Sequence, residues 1–192
     1  MRLFVAAEID PALTRELARV AGELRERVEA RAPRARLTWV PADRLHFTVR
    51  FLGEVDEQRG AAVAAALAAP LPVAPFEVTL AGLGAFPPKG PPRVLWAGAC
   101  EGRDGMTRLE REVSARLATC GIPPEARAYS PHLTLARVRD PGGLRSRDVL
   151  EGAPRGAFGT TRVDAITLFE SRLSPKGPAY LRVQSTIFDL QA

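Results

Sequence analysis

Two cysteines, two histidines and two lysines are all that the 192 residues contain of those types. Cys100 and Cys120 have no metal-ligand spacing and form no disulfide framework, so the expected setting is a reducing cytoplasm. With so few cysteines and histidines, and no carboxylate cluster, no metal centre and no cofactor are expected. No apolar run approaches the ~18–20 residues of a membrane span. The opening Met1-Arg2-Leu3-Phe4-Val5-Ala6-Ala7-Glu8 reaches a carboxylate too early for a signal peptide and reads as a first strand.

Arginine is what the chain has in quantity. Of 27 basic residues only Lys89 and Lys176 are lysines, and the net charge is +5. The planar guanidinium donates two parallel hydrogen bonds and suits phosphate, so a polyanionic partner is compatible with this balance. A hydrophobic fraction of 46% is ordinary for a globular protein and supplies one compact domain with a core of its own.

Asp10-Pro11 gives an N-cap and a proline at the first helical position. Leu13, Leu17, Val20, Leu24 and Val28 then form one apolar stripe on a helix to about residue 31. Strands are predicted over 36–40 and 44–52, an alanine-rich helix over 56–69, and strands over 75–83 and 92–99. In the second half, Met106, Leu109, Val113, Leu117 and Cys120 mark a helix. A strand at about 131–138, a short helix near 146–152 and long strands at about 161–172 and 178–189 follow. Hairpin-like strand pairs outnumber βαβ units, so the expected class is α+β with mainly antiparallel sheet and outer helices.

Two short segments recur. His46-Phe47-Thr48-Val49 is echoed by His132-Leu133-Thr134-Leu135, at an offset of 132 − 46 = 86. Pro88-Lys89-Gly90-Pro91 is echoed by Pro175-Lys176-Gly177-Pro178, at 175 − 88 = 87. Matched offsets point to an internal duplication. The expectation is a single bilobal domain over 1–192, with approximate halves 1–92 and 93–192 between which strands are free to exchange. The two lobes, related by a pseudo-twofold axis, would each bring one His-x-Thr-x strand to a central cleft. The Pro-Lys-Gly-Pro pair reads first as hairpin turns with solvated lysines.

Every histidine in the chain lies in the repeated segment. Leu45, Phe47, Val49 and Phe51 alternate with His46, Thr48 and Arg50, which puts the polar three on one strand face. Leu133 and Leu135 alternate with His132 and Thr134 in the same way. Arg137 falls one place out of step and points to the other face unless a bulge re-aims it. Two imidazoles around one phosphorus match the needs of a cyclic phosphodiester, where water must lose a proton and the departing ribose oxygen must gain one. Threonine hydroxyls can hold the non-bridging oxygens and arginine can balance their charge. For Trp39, Trp96, Phe86 and Tyr129 a core role is expected.

At these residues the chain resembles the 2H phosphoesterase superfamily, and within it the RNA 2′,3′-cyclic phosphodiesterases, also described as 2′-5′ RNA ligases. The likeness runs through Arg2 to Ala6, Leu45 to Val55, Arg93 to Gly98, Ser130 to Val138 and Leu168 to Ser174. It implies metal-independent hydrolysis of a terminal 2′,3′-cyclic phosphate on RNA to a 2′-phosphomonoester. By the family's assignment His46 is the proton donor and His132 the proton acceptor, an order that the residues alone leave open. Thr48, Thr134 and Arg137 are implied to bind phosphate, with Arg50 a weaker candidate on the motif's face. The expected partner is RNA or a cyclic nucleotide, and the expected state a monomer off the membrane. Two other readings stand beside it: 2′-5′ ligation by the reverse reaction, and an idle RNA-binding domain.

Overall fold

Apolar period and turn residues set the elements. The structure, a computed structural model, describes residues 1–154, 156–174 and 177–189. Strand β1 (Arg2–Glu8) leads through Asp10 into helix α1 (Pro11–Arg31), whose buried residues are Leu13, Leu17, Val20, Leu24 and Val28. This is the predicted stripe. Strand β2 (Arg36–Trp39), a 3-10 turn at Ala42–Arg44 and strand β3 (His46–Glu54) follow. Helix α2 (Glu57–Ala66) is capped by the Asp56 carboxylate, which accepts from the Arg59 N–H at 2.7 Å. Strands β4 (Phe76–Phe86) and β5 (Val94–Glu101) precede helix α3 (Arg103–Ala118), strand β6 (His132–Asp140) and helix α4 (Ser146–Leu150).

The predicted strand at 161–172 is in fact parts of two, β7 (Ala157–Val163) and β8 (Ala165–Ser174), and β9 (Gly177–Ile187) closes the chain. Asp164 separates β7 from β8, and the two leave it for opposite ends of the sheet. The buried phase slips by one place across Asp164, from Thr161 and Val163 to Ile166 and Leu168, but strand-forming residues continue on both sides, so the sequence reads one strand. The first Pro-Lys-Gly-Pro joins β4 to β5 as a turn. In the second copy Pro175 and Lys176 lie outside the described residues.

The nine strands form one sheet in the order β7-β4-β5-β6-β3-β1-β8-β9, with β2 also on β6, and these strands pair antiparallel throughout. It is an α+β fold of two lobes, β7-β4-β5-β6 and β3-β1-β8-β9, whose described strands pair across the seam at one position, Phe47 opposite Leu133. Strand β4 follows β3 in the chain yet lies in the lobe of β6, whereas β8 and β9 return to the lobe of β3. Helices cover one face: α1 packs on β7 and α4, and α3 packs on β3 and β4. Leu3, Val5, Ala7, Phe47, Val49, Leu95, Ala97, Leu133 and Leu135 meet those helices in the core. Asp164 alone joins β7 at one end of the sheet to β8 near the other, so the sheet is curled, and the face away from the helices is left as a groove.

Candidate active site

The one pair that joins the lobes fixes the site. With Phe47 opposite Leu133, antiparallel register sets His46 beside Thr134 and Thr48 beside His132, all four on the face away from the core. The two histidines occupy a diagonal, and such positions lie roughly 7–8 Å apart. All four residues are half-buried. The repeated motif thus forms a square of two imidazoles and two hydroxyls across the seam of the sheet.

Each imidazole is pinned the same way. His46 Nδ1 lies 2.7 Å from the Arg44 carbonyl, and His132 Nδ1 lies 2.8 Å from the Ser130 carbonyl. A carbonyl only accepts, so both Nδ1 atoms carry hydrogen and both Nε2 atoms are the ones left to titrate. Thr48 Oγ1 stands 3.2 Å from His46 Nε2, and it donates when that nitrogen is bare. Aromatic rings wall both groups. Phe4 stacks on His46 at 5.2 Å and Tyr180 meets it edge-on at 5.7 Å. Phe86 meets His132 edge-on at 5.1 Å, with Trp96 at 6.0 Å.

The arginines are sorted by two bulges. Ala6 pairs with Thr48 but Val5 pairs with Arg50, so Val49 is an extra residue in β3. Trp96 pairs with Thr134 but Leu95 pairs with Ala136, so Leu135 is the extra residue in β6. Each bulge flips the alternation beyond it. Arg137 is thereby carried onto the groove face and is exposed. Arg50, placed on the motif's face by simple alternation, is instead paired with core-facing Val5 and only 6% exposed. It donates to the Pro123 carbonyl and to Glu125 at 3.3 Å, tying the segment before β6 onto β3. The Tyr129 hydroxyl adds a second tie, donating to the Thr48 carbonyl at 3.1 Å. In the place expected for Arg50 stands Phe51, 55% exposed.

Burial pushes both imidazoles below their ordinary range, since the charged form loses solvent. The Arg44 and Ser130 carbonyls act in the opposite sense, and Arg137 pushes both further down. Glu8 raises His46 alone. A bound phosphate, being negative, would favour the protonated ring in each case.

Cavities flank the square. One of about 990 Å³ adjoins Thr48 and His132 and is lined by Phe51, Phe86, Tyr129 and the exposed Arg93 and Arg127. Another, about 480 Å³, adjoins His46 between Glu8, Arg44, Phe169, Tyr180 and Arg182. Among the described residues no three His, Cys, Asp or Glu side chains gather as metal-ion ligands. Nor is any described helix long and apolar enough to cross a membrane. Sequence reasoning gave Phe86 and Trp96 a core role, and they stand as walls of the His132 site. It did not single out Phe4, Glu8 or Tyr180; Glu8 shares the groove face only through its pairing with His46.

The sequence model of the 2′-5′ RNA ligase superfamily matches residues 13–174. An Archaeoglobus fulgidus protein named RNA 2′,3′-cyclic phosphodiesterase is 33% identical over 180 residues, 94% of this chain and 96% of that one. One of the same name from Aeropyrum pernix is 34% identical over 157 residues, 80% of this chain and 85% of its own. A Thermus thermophilus crystal structure shares 31% identity and superposes with a TM-score of 0.69, covering 98% of each chain. Escherichia coli LigT complexed with 3′-AMP, at 23% identity and a TM-score of 0.70 over 97% of each chain, shares the fold. The lobes, the paired His-x-Thr-x strands and a match over most of the length agree: the chain belongs to the 2′-5′ RNA ligase superfamily.

Proposed function

We propose that this chain hydrolyses terminal 2′,3′-cyclic phosphates on RNA to 2′-phosphomonoesters, without a metal. The observation that carries the reading is the matched pinning of the two Nδ1 atoms, which leaves both Nε2 atoms to serve one groove. Water attacks phosphorus while His132 Nε2 takes its proton; the bond from phosphorus to the 3′ oxygen breaks, and His46 Nε2 gives that oxygen a proton. Thr48 and Thr134 donate to non-bridging oxygens, and Arg137 balances the charge that builds there. The names of the relatives support this substrate class.

The larger cavity provides room for a nucleoside beside the phosphate, and Phe51 offers an exposed ring on which a base can stack. Arg93 and Arg127 line that cavity and suit the phosphates of the RNA chain. The bulges at equivalent places in β3 and β6 support descent of the two motif strands from one duplicated unit.

The test is turnover of an RNA ending in a 2′,3′-cyclic phosphate with a chelator present and no metal added. The expected product is the 2′-phosphomonoester, at a rate the chelator does not change. Activity abolished by chelator and restored by zinc would overturn the metal-free mechanism. The family's name also favours a ligation reading, in which a 5′-hydroxyl replaces water as the nucleophile, the 3′ oxygen leaves as before, and a 2′-5′ linkage forms on the same residues. Water is the default nucleophile unless a second RNA end is held in place, so ligation is expected only at high concentrations of that end.

A further inference from the structure

The two histidines have matching pins and matching threonines, but their cross-strand neighbours differ. In the β1–β3 pair, Glu8 is the partner of His46; in the β5–β6 pair, Gly98 is the partner of His132. Paired positions project on one face with Cβ atoms about 4.5–5.5 Å apart, so one imidazole has a carboxylate for its neighbour and the other has none. No side chain could easily be added on the second side. A Cβ on Gly98 would lie 2.9 Å from a Trp96 ring carbon.

We propose that Glu8 is a positioning residue that makes His46, and not His132, the proton donor of the pair. The proposal rests on the hydrolase reading above and explains an order of roles that the motif leaves open. Glu8 is held in place from two sides: Arg182 Nη2 lies 2.5 Å from Oε1, and Thr167 donates to Oε2 at 3.2 Å. Arg182 is itself seated over the Phe169 ring at 5.7 Å. Among the described residues, the other charged or titratable groups about His46 are His132 and Arg137 from β6, Asp43 and Arg44 from the 3-10 turn, and Tyr180 and Arg182 from β9. Arg137 acts on both histidines with the same sign and does not discriminate between them. Glu8 acts on one. A carboxylate stabilises an imidazolium over a neutral ring, so at a pH where one proton is shared by the site, it resides on His46.

The chain's two histidines give two Hε1 signals, assignable with H132N, so their titrations are read separately by NMR. Glu8→Gln keeps shape and an acceptor for Thr167 while removing the charge. It is expected to lower the His46 midpoint, leave that of His132 in place, and draw the alkaline limb of the rate profile to lower pH. The acid limb should stay. The ratio of E8Q to wild-type activity should then fall by up to about tenfold from neutral to alkaline pH, and Glu8→Asp should restore most of it. Arg182→Gln, which removes the positive partner of Glu8, should move the His46 midpoint the other way and carries the test should E8Q fail to fold. A His46 midpoint that ignores both variants, or a shift shared equally by His132, overturns the proposal. Failure of the hydrolase reading is distinct: wild-type protein would leave cyclic phosphate ends intact.

Discussion

Strands β3 and β6 are two versions of one device, and they diverge one step past the motif. Both present histidine and threonine, and both carry a bulge at the next residue. Beyond it β3 offers Arg50 to the interior and Phe51 to the groove, whereas β6 offers Ala136 to the interior and Arg137 to the groove. The shared part suits a reaction that needs an acid and a base of the same chemical type. The divergent part makes the ends of the groove unlike, one aromatic and one cationic, which fits the proposed substrate, with a base on one side and a phosphate charge on the other. Arg50 also shows that an arginine's place in a motif does not fix its task, because its guanidinium is spent on the loop that leads into β6.

The largest effect tests the shared part. His46→Ala and His132→Ala should each lower kcat by about 10²–10⁴-fold with the fold retained by circular dichroism. If the proposed acid–base pair works as a unit, the double variant should lose far less than the product of the two. A single variant that keeps near wild-type turnover would break the equivalence of the strands. The divergent part is sharpened by two changes past the bulges. Arg137→Gln should cost roughly 10–100-fold in kcat/KM on any cyclic phosphate, in line with a lost hydrogen bond to a charged group. Phe51→Ala should raise KM by about tenfold for substrates with a base and leave an abasic ribose cyclic phosphate unaffected. Equal losses on both substrates would remove Phe51 from the base site. The smallest catalytic effect belongs to Arg50→Ala, expected to lower stability by about 1–3 kcal/mol, read by denaturant melts, with kcat nearly unchanged.

Much of the candidate site is legible in the order of residues alone, for a physical reason. His-x-Thr-x places both functional groups on one face of any strand it forms, and a repeat of it marks two strands for one purpose. The α1 stripe from Leu13 to Val28 is legible on the same ground, since helical period is a local property. What stays hidden are features that strand-forming residues alone do not resolve. The corner at Asp164 interrupts a continuous run of such residues with only a one-place slip of the buried phase, and the bulge at Val49 is visible only against the partner strand.

Sequence by itself determined which side chains could do the chemistry: two imidazoles, two hydroxyls and a surplus of guanidinium. Only the tertiary structure decided which arginine reaches the groove, which histidine has a carboxylate beside it, and which aromatic ring is left exposed. Those outcomes depend on cross-strand pairing between residues far apart in the chain, and register is set by the packing of the whole sheet rather than by any one strand.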